Sequence, residues 1–303
     1  EGIEVLRGAP DVSLVINDLH GAALRDAIGD YDALIVRSGT AVDRAVIDRA
    51  TRLKLIGRAG QAVDNIDIQA ATARGVMVMN TPEAVAIAAA EHTWALLLAL
   101  CRQVPAADRS VRGGNWDRDR FLGVEINGKT LGLIGFGRIG AEVARRARAF
   151  DMHIVAHDPY LSDGQIRDRG AEPASLEALL NWSDYVSMHL PLTEGTRNLF
   201  DSARLAQMRK GARLLCLARG GVIDEAALAA ALDAGHLAGA ALDVFAAEPP
   251  GPGSIAEHPR VIGTPHIGAQ TREAQDRAGL AIAEEVLAVL QGREPRFRVL
   301  AND

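Results

Sequence analysis

The chain has 303 residues, 48% of them hydrophobic, a formal net charge of −6 and two cysteines. That length suits two domains of about 100 to 200 residues, each with its own core. The acidic balance offers no basic face to nucleic acid or anionic lipid, and the spacing of Cys101 and Cys216 makes neither a disulfide framework nor a metal site. No nucleic acid, membrane or metal is expected, and a reducing cytoplasm is the expected compartment.

From the N-terminus, Gly2 to Leu6 has a helical pattern and Val12 to Val15 a strand-like one, so an α/β domain beginning here would lack an opening strand, as a truncated chain would. Apolar runs at Ala33 to Val36, Leu53 to Gly57 and Val76 to Met79 alternate with helical segments, which predicts a parallel sheet. Ala84 to Cys101 is rich in Ala and Leu but interrupted by Glu91 and His92. It is too short and polar to span a bilayer and predicts a soluble helix buried on most faces.

A loop with Gly113, Gly114 and Trp116 leads into a second βα series. Its strands are expected at Met152 to Ala156, Tyr185 to Met188, Arg213 to Leu217, Gly239 to Leu242 and Val261 to Gly263. The terminal helix, Arg272 to Gln291, comes too late to add a βα unit to that sheet and is expected to cross back to the first segment. The expected fold class is α/β, with two Rossmann-like domains of doubly wound parallel sheet. Residues 1–81 and 269–303 would make a discontinuous, flavodoxin-like substrate domain and 82–268 an NAD-binding domain.

The most telling stretch is Lys129 to Gly140, in which an apolar strand runs into Gly135-Phe136-Gly137-Arg138-Ile139-Gly140 and then the helical run Ala141 to Phe150. About 20 residues on, Asp158 ends the next strand, where a βαβ unit presents an acid to a ribose. Gly135 permits the tight turn, Gly137 lets pyrophosphate approach the backbone, and Gly140 lets helix and strand pack closely. A carboxylate at Asp158 accepts from a ribose 2′-hydroxyl and repels a 2′-phosphate, which selects NAD over NADP; Pro159 and Tyr160 add no cation, and His157 would do so only when protonated.

Three polar residues follow strands of the same sheet, at the edge where open α/β sheets bind ligands. Arg219, before Gly220 and Gly221, can grip a carboxylate bidentately. His266 sits in the rigid bend after Thr264-Pro265 and suits proton transfer, with Glu248 as the carboxylate that favours its imidazolium. Singly, each has a plainer reading: a surface ion pair, a satisfied structural histidine, a solvated turn at Glu248-Pro249-Pro250. Together behind a dinucleotide turn they describe hydride-transfer machinery.

Several runs in order, Gly57-Arg58-Ala59-Gly60 through Asp64-Asn65, Val78 to Pro82, Gly135 to Gly140, Ala218 to Gly221, Ala241 to Phe245 with Glu248-Pro249, and Pro265 to Ala269, resemble the D-isomer-specific 2-hydroxyacid dehydrogenases over nearly the whole chain. The resemblance is strongest to members acting on 3-phosphoglycerate. It implies NAD as cofactor and Arg219, Glu248 and His266 as the catalytic set. It also implies a cofactor pocket of Gly135, Gly137, Arg138, Ile139, Gly140, Asp158, Leu190, Leu217, Ala218, Asp243, Gly268 and Ala269. Substrate would touch Gly60, Gln61, Ala62 and Val63 as well as Arg219 and His266, with Arg37 placed for a substrate phosphate unless it pairs with Asp43.

The implied reaction interconverts a D-2-hydroxy acid and its 2-keto acid, foremost 3-phosphoglycerate and 3-phosphohydroxypyruvate in serine biosynthesis, in a cleft between the two domains. Hydroxypyruvate, glyoxylate or a more apolar 2-keto acid is the alternative. A rival of another class is an NAD-sensing, corepressor-like protein, which the intact catalytic set disfavours. A homodimer or higher homo-oligomer is implied, with Val111 to Phe121 and Trp116 as the contact, and no regulatory module is expected after residue 303. Departures from the family pattern at Gln61-Ala62, Glu83 to Ala86, Leu190 and Cys216 are expected to make the pocket less polar.

Overall fold

The computed structural model describes residues 1–300. The chain opens with α1 (Gly2–Arg7), α2 (Gly21–Ala27), β1 (Ala33–Val36), α3 (Arg44–Arg49), β2 (Leu55–Arg58), α4 (Ile68–Ala73) and β3 (Met77–Asn80). Two helices, α5 (Ala86–Arg102) and α6 (Val104–Arg112), precede β4 (Thr130–Ile134), α7 (Arg138–Ala149), β5 (His153–His157), α8 (Asp163–Asp168), β6 (Glu172–Pro173) and α9 (Leu176–Trp182). There follow β7 (Tyr185–Met188), α10 (Ser202–Gln207), β8 (Arg213–Cys216), α11 (Glu225–Asp233), β9 (Gly239–Leu242) and β10 (Val261–Gly263), and the chain closes with α12 (Arg272–Leu290) and β11 (Arg298–Val299). The described helices include none long and apolar enough to cross a membrane.

Two compact units result, one of Glu1–Ala86 with Ala269–Asp303 and one of Ile87–Gly268. In the first, the sheet order is β1-β2-β3-β11, the first three strands parallel and β11 antiparallel to β3. On one side Ile56 and Val78 pack with Val36, Val46 and Ile47; on the other Leu55 and Met79 pack with Leu6, Ile282 and Val286. The alternation of Leu55 and Ile56 between the two clusters is the period of two that a sheet covered on both faces requires. Helix α12 belongs to this unit.

The second unit is a seven-stranded, wholly parallel sheet in the order β10-β9-β8-β7-β4-β5-β6. The chain winds outward from β4 through β5 and β6, then returns to the other side of β4 with β7 and winds to β10. The switch point therefore lies between the carboxyl ends of β4 and β7, where such sheets bind ligands. Both faces are buried: Tyr185, Leu131 and Leu133 pack on one, Val186, Met188 and Leu214 on the other.

The expected strands fall within two residues of the observed ones except at Val12 to Val15, which is irregular. That segment has the alternation of a strand, but Leu14 packs on the Leu6, Leu55 and Met79 cluster without entering a ladder; an apolar pattern secures burial, whereas a strand also needs its backbone paired to a neighbour. Helix α6 replaces part of the expected loop before Gly113, with Pro105 in its first turn and Gln103 at φ 53 separating it from α5. The helix after the glycine turn begins at Arg138, three residues before the run starting at Ala141.

Gly132 lies mid-strand in β4, and a Cβ there would come within 2.6 Å of Leu179 Cδ2 and 2.3 Å of Ser183 Oγ, both fully buried residues. Gly132→Ala is expected to lower stability by about 1–3 kcal/mol through overpacking, visible as a lower urea midpoint with unchanged slope.

Candidate active site

At the carboxyl end of β4, Gly135 has φ 84, and a Cβ on it would sit 2.6 Å from the carbonyl oxygen of His189, so only glycine lets the β4 turn lie against the β7 turn. A Cβ on Gly140 would lie 2.5 Å from the Gly135 carbonyl, whereas Gly137 faces open space. Gly137 is the N-cap of α7, and no side chain caps this helix, although Asp43, Asp67, Ser162, Ser175, Asp201, Asp224 and Thr271 cap seven others. The first turn of α7 therefore opens with no side-chain cap, beside the free space at Gly137 and with the positive end of the helix dipole behind it. That cradle fits a pyrophosphate.

Asp158 follows β5, and its carboxylate is fixed from both sides: Oδ2 accepts from Phe136 N at 2.8 Å and Oδ1 from Tyr160 N at 2.9 Å. Each oxygen keeps a lone pair for a ribose hydroxyl. His157 donates its Nδ1 proton to the Ala174 carbonyl at 3.0 Å. Arg169, which the motif reading missed, donates to the Phe136 carbonyl at 2.6 Å and brings a guanidinium to the turn whose Phe136 amide holds Asp158. No spacing rule marks it, because it reaches the turn from the end of α8.

The next carboxyl ends along the sheet carry the remaining candidates. Leu190, after β7, packs on the core, and Leu217 and Ala218, after β8, are buried. Half-buried Arg219 folds back to donate to the Ala218 carbonyl at 2.6 Å. Gly220 lies so close to the loop after β9 that a Cβ would stand 1.7 Å from the Phe245 carbonyl. That loop in turn closes on Glu248, whose Oε1 accepts from Phe245 N at 3.1 Å and whose Oε2 lies 2.8 Å from His266 Nδ1. The structure therefore brings the Arg219 loop, Glu248 and His266 together on three adjacent parallel strands.

His266 has φ 53, a left-handed backbone uncommon for any residue but glycine. Asp243 holds it there, since the His266 amide donates to the Asp243 carbonyl at 2.9 Å while the buried carboxylate accepts from Ile267 N and Gly268 N, both at 2.8 Å, and from Thr264 Oγ1 at 2.5 Å. Burial alone would raise this carboxyl; hydrogen bonds from His92, Thr264, Ile267 and Gly268 outweigh it and hold the group below the usual carboxylate range. Asp243 is thus the anchor of the His266 turn, a role its motif does not disclose. Cys216 is buried at the end of β8, and burial pushes its thiol up to about 11, so it is an inert core residue.

In the first unit, Gly60 has φ 133, and its amide and carbonyl pair with Thr81 Oγ1 and Thr81 N at 2.7 and 2.8 Å. The Gln61 carbonyl accepts from Asn80 Nδ2, the Val63 carbonyl from Ile66 N, and half-buried Ala62 lies between them. Exposed Arg37 donates to Gln275 Oε1 on α12, not to Asp43, which caps α3 instead. Its carbonyl is fixed by Asn65 Nδ2 at 3.0 Å. Ala269 accepts from Gln275 Nε2 and packs with Ala84, Val85 and Ala278. Val85 and Ala86 are both buried, and Val85 packs with Ala84 and Ala278 of α12.

The profile of the D-isomer specific 2-hydroxyacid dehydrogenase NAD binding domain matches residues 94–268. The chain belongs to the D-isomer specific 2-hydroxyacid dehydrogenase family. Its second unit is the family's NAD-binding domain, and the cradle at Gly137 with the fixed Asp158 carboxylate fits that cofactor. The chain is 47% identical over 293 residues to the chloroplastic D-3-phosphoglycerate dehydrogenase 2 of Arabidopsis thaliana and 44% identical over 292 to the D-3-phosphoglycerate dehydrogenase of Bacillus subtilis. These alignments cover 96% of this chain but 47% and 55% of the two relatives, so it spans about half the length of the curated relatives it matches. Among solved structures, a protein from Thermus thermophilus superposes with a TM-score of 0.87 at 38% identity, covering 99% of this chain and 96% of that one.

Burial pushes the His189 imidazole down to about 4, against 6.5 in an unfolded dehydrogenase chain. Below pH 6.5 the unfolded chain takes up a proton that the folded one refuses, so stability falls between pH 6.5 and about 4; Asp243 adds its own loss only once the pH drops through its lowered pKa. The unfolding free energy is expected to drop by about 2 kcal/mol more between pH 7.5 and pH 5 in the wild type than in His189→Asn, as read from urea titrations at the two pH values.

Proposed function

We propose that the chain is an NAD-dependent D-2-hydroxyacid dehydrogenase that interconverts 3-phosphoglycerate and 3-phosphohydroxypyruvate. The observation that carries the catalytic part is the 2.8 Å pair between His266 Nδ1 and Glu248 Oε2, on the same sheet edge as Arg219 and the α7 cradle. The identity of the substrate rests on the relatives' names and on Arg37, an exposed cation on the first unit.

Bound NAD(H) supplies or accepts the hydride. Arg219 grips the substrate carboxylate through its planar fork, which also orients the adjacent carbonyl. Glu248 accepts a hydrogen bond from His266 Nδ1–H, fixes the ring and leaves Nε2 as the atom that gives and takes the exchanged proton. In keto-acid reduction His266 passes the Nε2 proton to the developing alkoxide; in the oxidation the neutral ring takes it back from the hydroxyl. Asp158 accepts from the adenosine ribose and, held in place by the Phe136 and Tyr160 amides, would face a 2′-phosphate with a fixed negative charge. Gly60 to Val63 and Arg37 are assigned to the substrate, with Arg37 on its phosphate.

The exposed apolar side chains Val111, Trp116 and Leu122 support a homodimer contact through that segment. Two free, buried cysteines support a reducing cytoplasmic setting.

The test is a panel of 2-keto acids, phosphorylated and not, added to enzyme and NADH while absorbance is followed. 3-Phosphohydroxypyruvate should be reduced with the highest kcat/KM, and with NADH in preference to NADPH. His266→Ala should lower kcat by about 10²- to 10⁴-fold with NADH binding nearly unchanged. Arg37→Ala should raise KM for the phosphorylated member far more than for glyoxylate. Reduction of glyoxylate or hydroxypyruvate alone would move the assignment to a short-chain keto-acid reductase, and an inert panel would refute the enzyme reading.

A further inference from the structure

His92 stands on α5, beside Glu91 and Thr93 in a helix that is otherwise mostly apolar, and far in sequence from Asp243, Thr264 and His266. It is mostly buried, and its Nε2 lies 3.0 Å from Thr264 Oγ1 and 3.4 Å from Asp243 Oδ1. Thr264 has a single hydroxyl proton, and at 2.5 Å that proton goes to the Asp243 carboxylate, which has none to give. The threonine oxygen can then only accept from His92, so Nε2 carries a proton. The result is a directed chain from His92 Nε2–H through Thr264 Oγ1–H to Asp243 Oδ1, the same oxygen that receives the Ile267 amide.

That oxygen matters because the turn it holds is not one that His266 would adopt unaided. A left-handed backbone is strained for a non-glycine residue and persists only where its surroundings over-determine it. The surroundings here are Asp243: its carbonyl takes the His266 amide, Oδ1 takes Ile267 N and Oδ2 takes Gly268 N. If Thr264 rotates away, Oδ1 loses one donor and the carboxylate is free to swing, and both amide contacts go with it.

We propose that His92 is a positioning residue for His266, its Nε2–H locking Thr264 onto the Asp243 carboxylate and thereby fixing the left-handed turn that carries the imidazole. The kinetic consequence rests on the reading of His266 as the proton donor; the structural consequence does not, and the two are measured separately.

The experiment compares His92→Leu, which removes the donor, with His92→Gln, whose amide restores one at similar reach, both in the full chain. Hydrogen exchange of the Ile267 and Gly268 amides without cofactor is expected to rise about fivefold or more in His92→Leu and to return to within twofold of wild type in His92→Gln, with exchange in β4 and β5 unchanged. In keto-acid reduction, kcat should fall by about tenfold to a hundredfold in His92→Leu while KM for the keto acid moves less than about twofold, and His92→Gln should recover it. Thr264→Val, which cuts the same chain one link later, should reproduce the exchange result and serves if His92→Leu does not fold. Wild-type exchange at both amides in His92→Leu or Thr264→Val, or a His92→Gln variant as impaired as His92→Leu, would overturn the proposal. Should the wild type reduce no keto acid, the enzyme reading fails and the exchange result alone decides the role of His92.

Discussion

Parallel pairing is the constraint from which the site follows. Because β10, β9, β8, β7, β4, β5 and β6 all run the same way, every strand delivers its following loop to one edge, and residues as distant as Gly135, Asp158, Arg219, Glu248 and His266 emerge there side by side. The same parallelism forces a crossover on each connection, and the crossovers bury both faces of the sheet. Interior strands then have no room to spare: Gly132 has no space for a methyl group against Leu179, and Gly135 none against His189. Close packing between the β4 and β7 turns is therefore a condition of the fold as well as of the cofactor cradle.

Rigidity at this edge comes from carboxylates that bond backbone amides. Asp158 binds the glycine turn through Phe136 N, Glu248 binds its own loop through Phe245 N, and Asp243 binds the histidine turn through Ile267 N and Gly268 N. In the acidic side chains of Asp158 and Glu248 this leaves electron pairs for a second partner, which for Glu248 is the histidine ring. Asp243 differs, being buried and hydrogen-bonded within the protein. Charge-assisted bonds to amides are about twice as strong as neutral ones, and in a buried setting they offset the strain of a left-handed His266.

The first unit builds its turn by another device. Gly60 adopts a backbone open to glycine alone, and Thr81, Asn80 and Asn65 brace it and the neighbouring Arg37 carbonyl with side-chain hydrogen bonds. The Gly60 amide and carbonyl and the Gln61 carbonyl are thereby held by Thr81 and Asn80 from the adjoining strand and turn. Ala84 and Val85, next in the chain, pack beneath α12. Apolar side chains at those positions serve the core of the unit, whereas Gln61 and Arg37 are exposed.

Strand rhythm, the glycine turn with its acid, and the placement of Arg219, Glu248 and His266 in loops after strands were legible in the sequence because each depends on local spacing: an apolar run of four or five residues, glycine where no Cβ fits, a polar residue in the loop after a strand. Val12 to Val15 shows where that logic stops, since alternation reports burial and not backbone pairing. The roles of Asp243, His92 and Arg169 depended on tertiary structure alone. His92 and Thr264 are 172 positions apart, and nothing in either neighbourhood records that one donates to the other. Which residue supplies chemistry is set by its type and local turn, and so can be read along the chain; which residue holds it in place is set by hydrogen bonds that exist only once helix and sheet have packed.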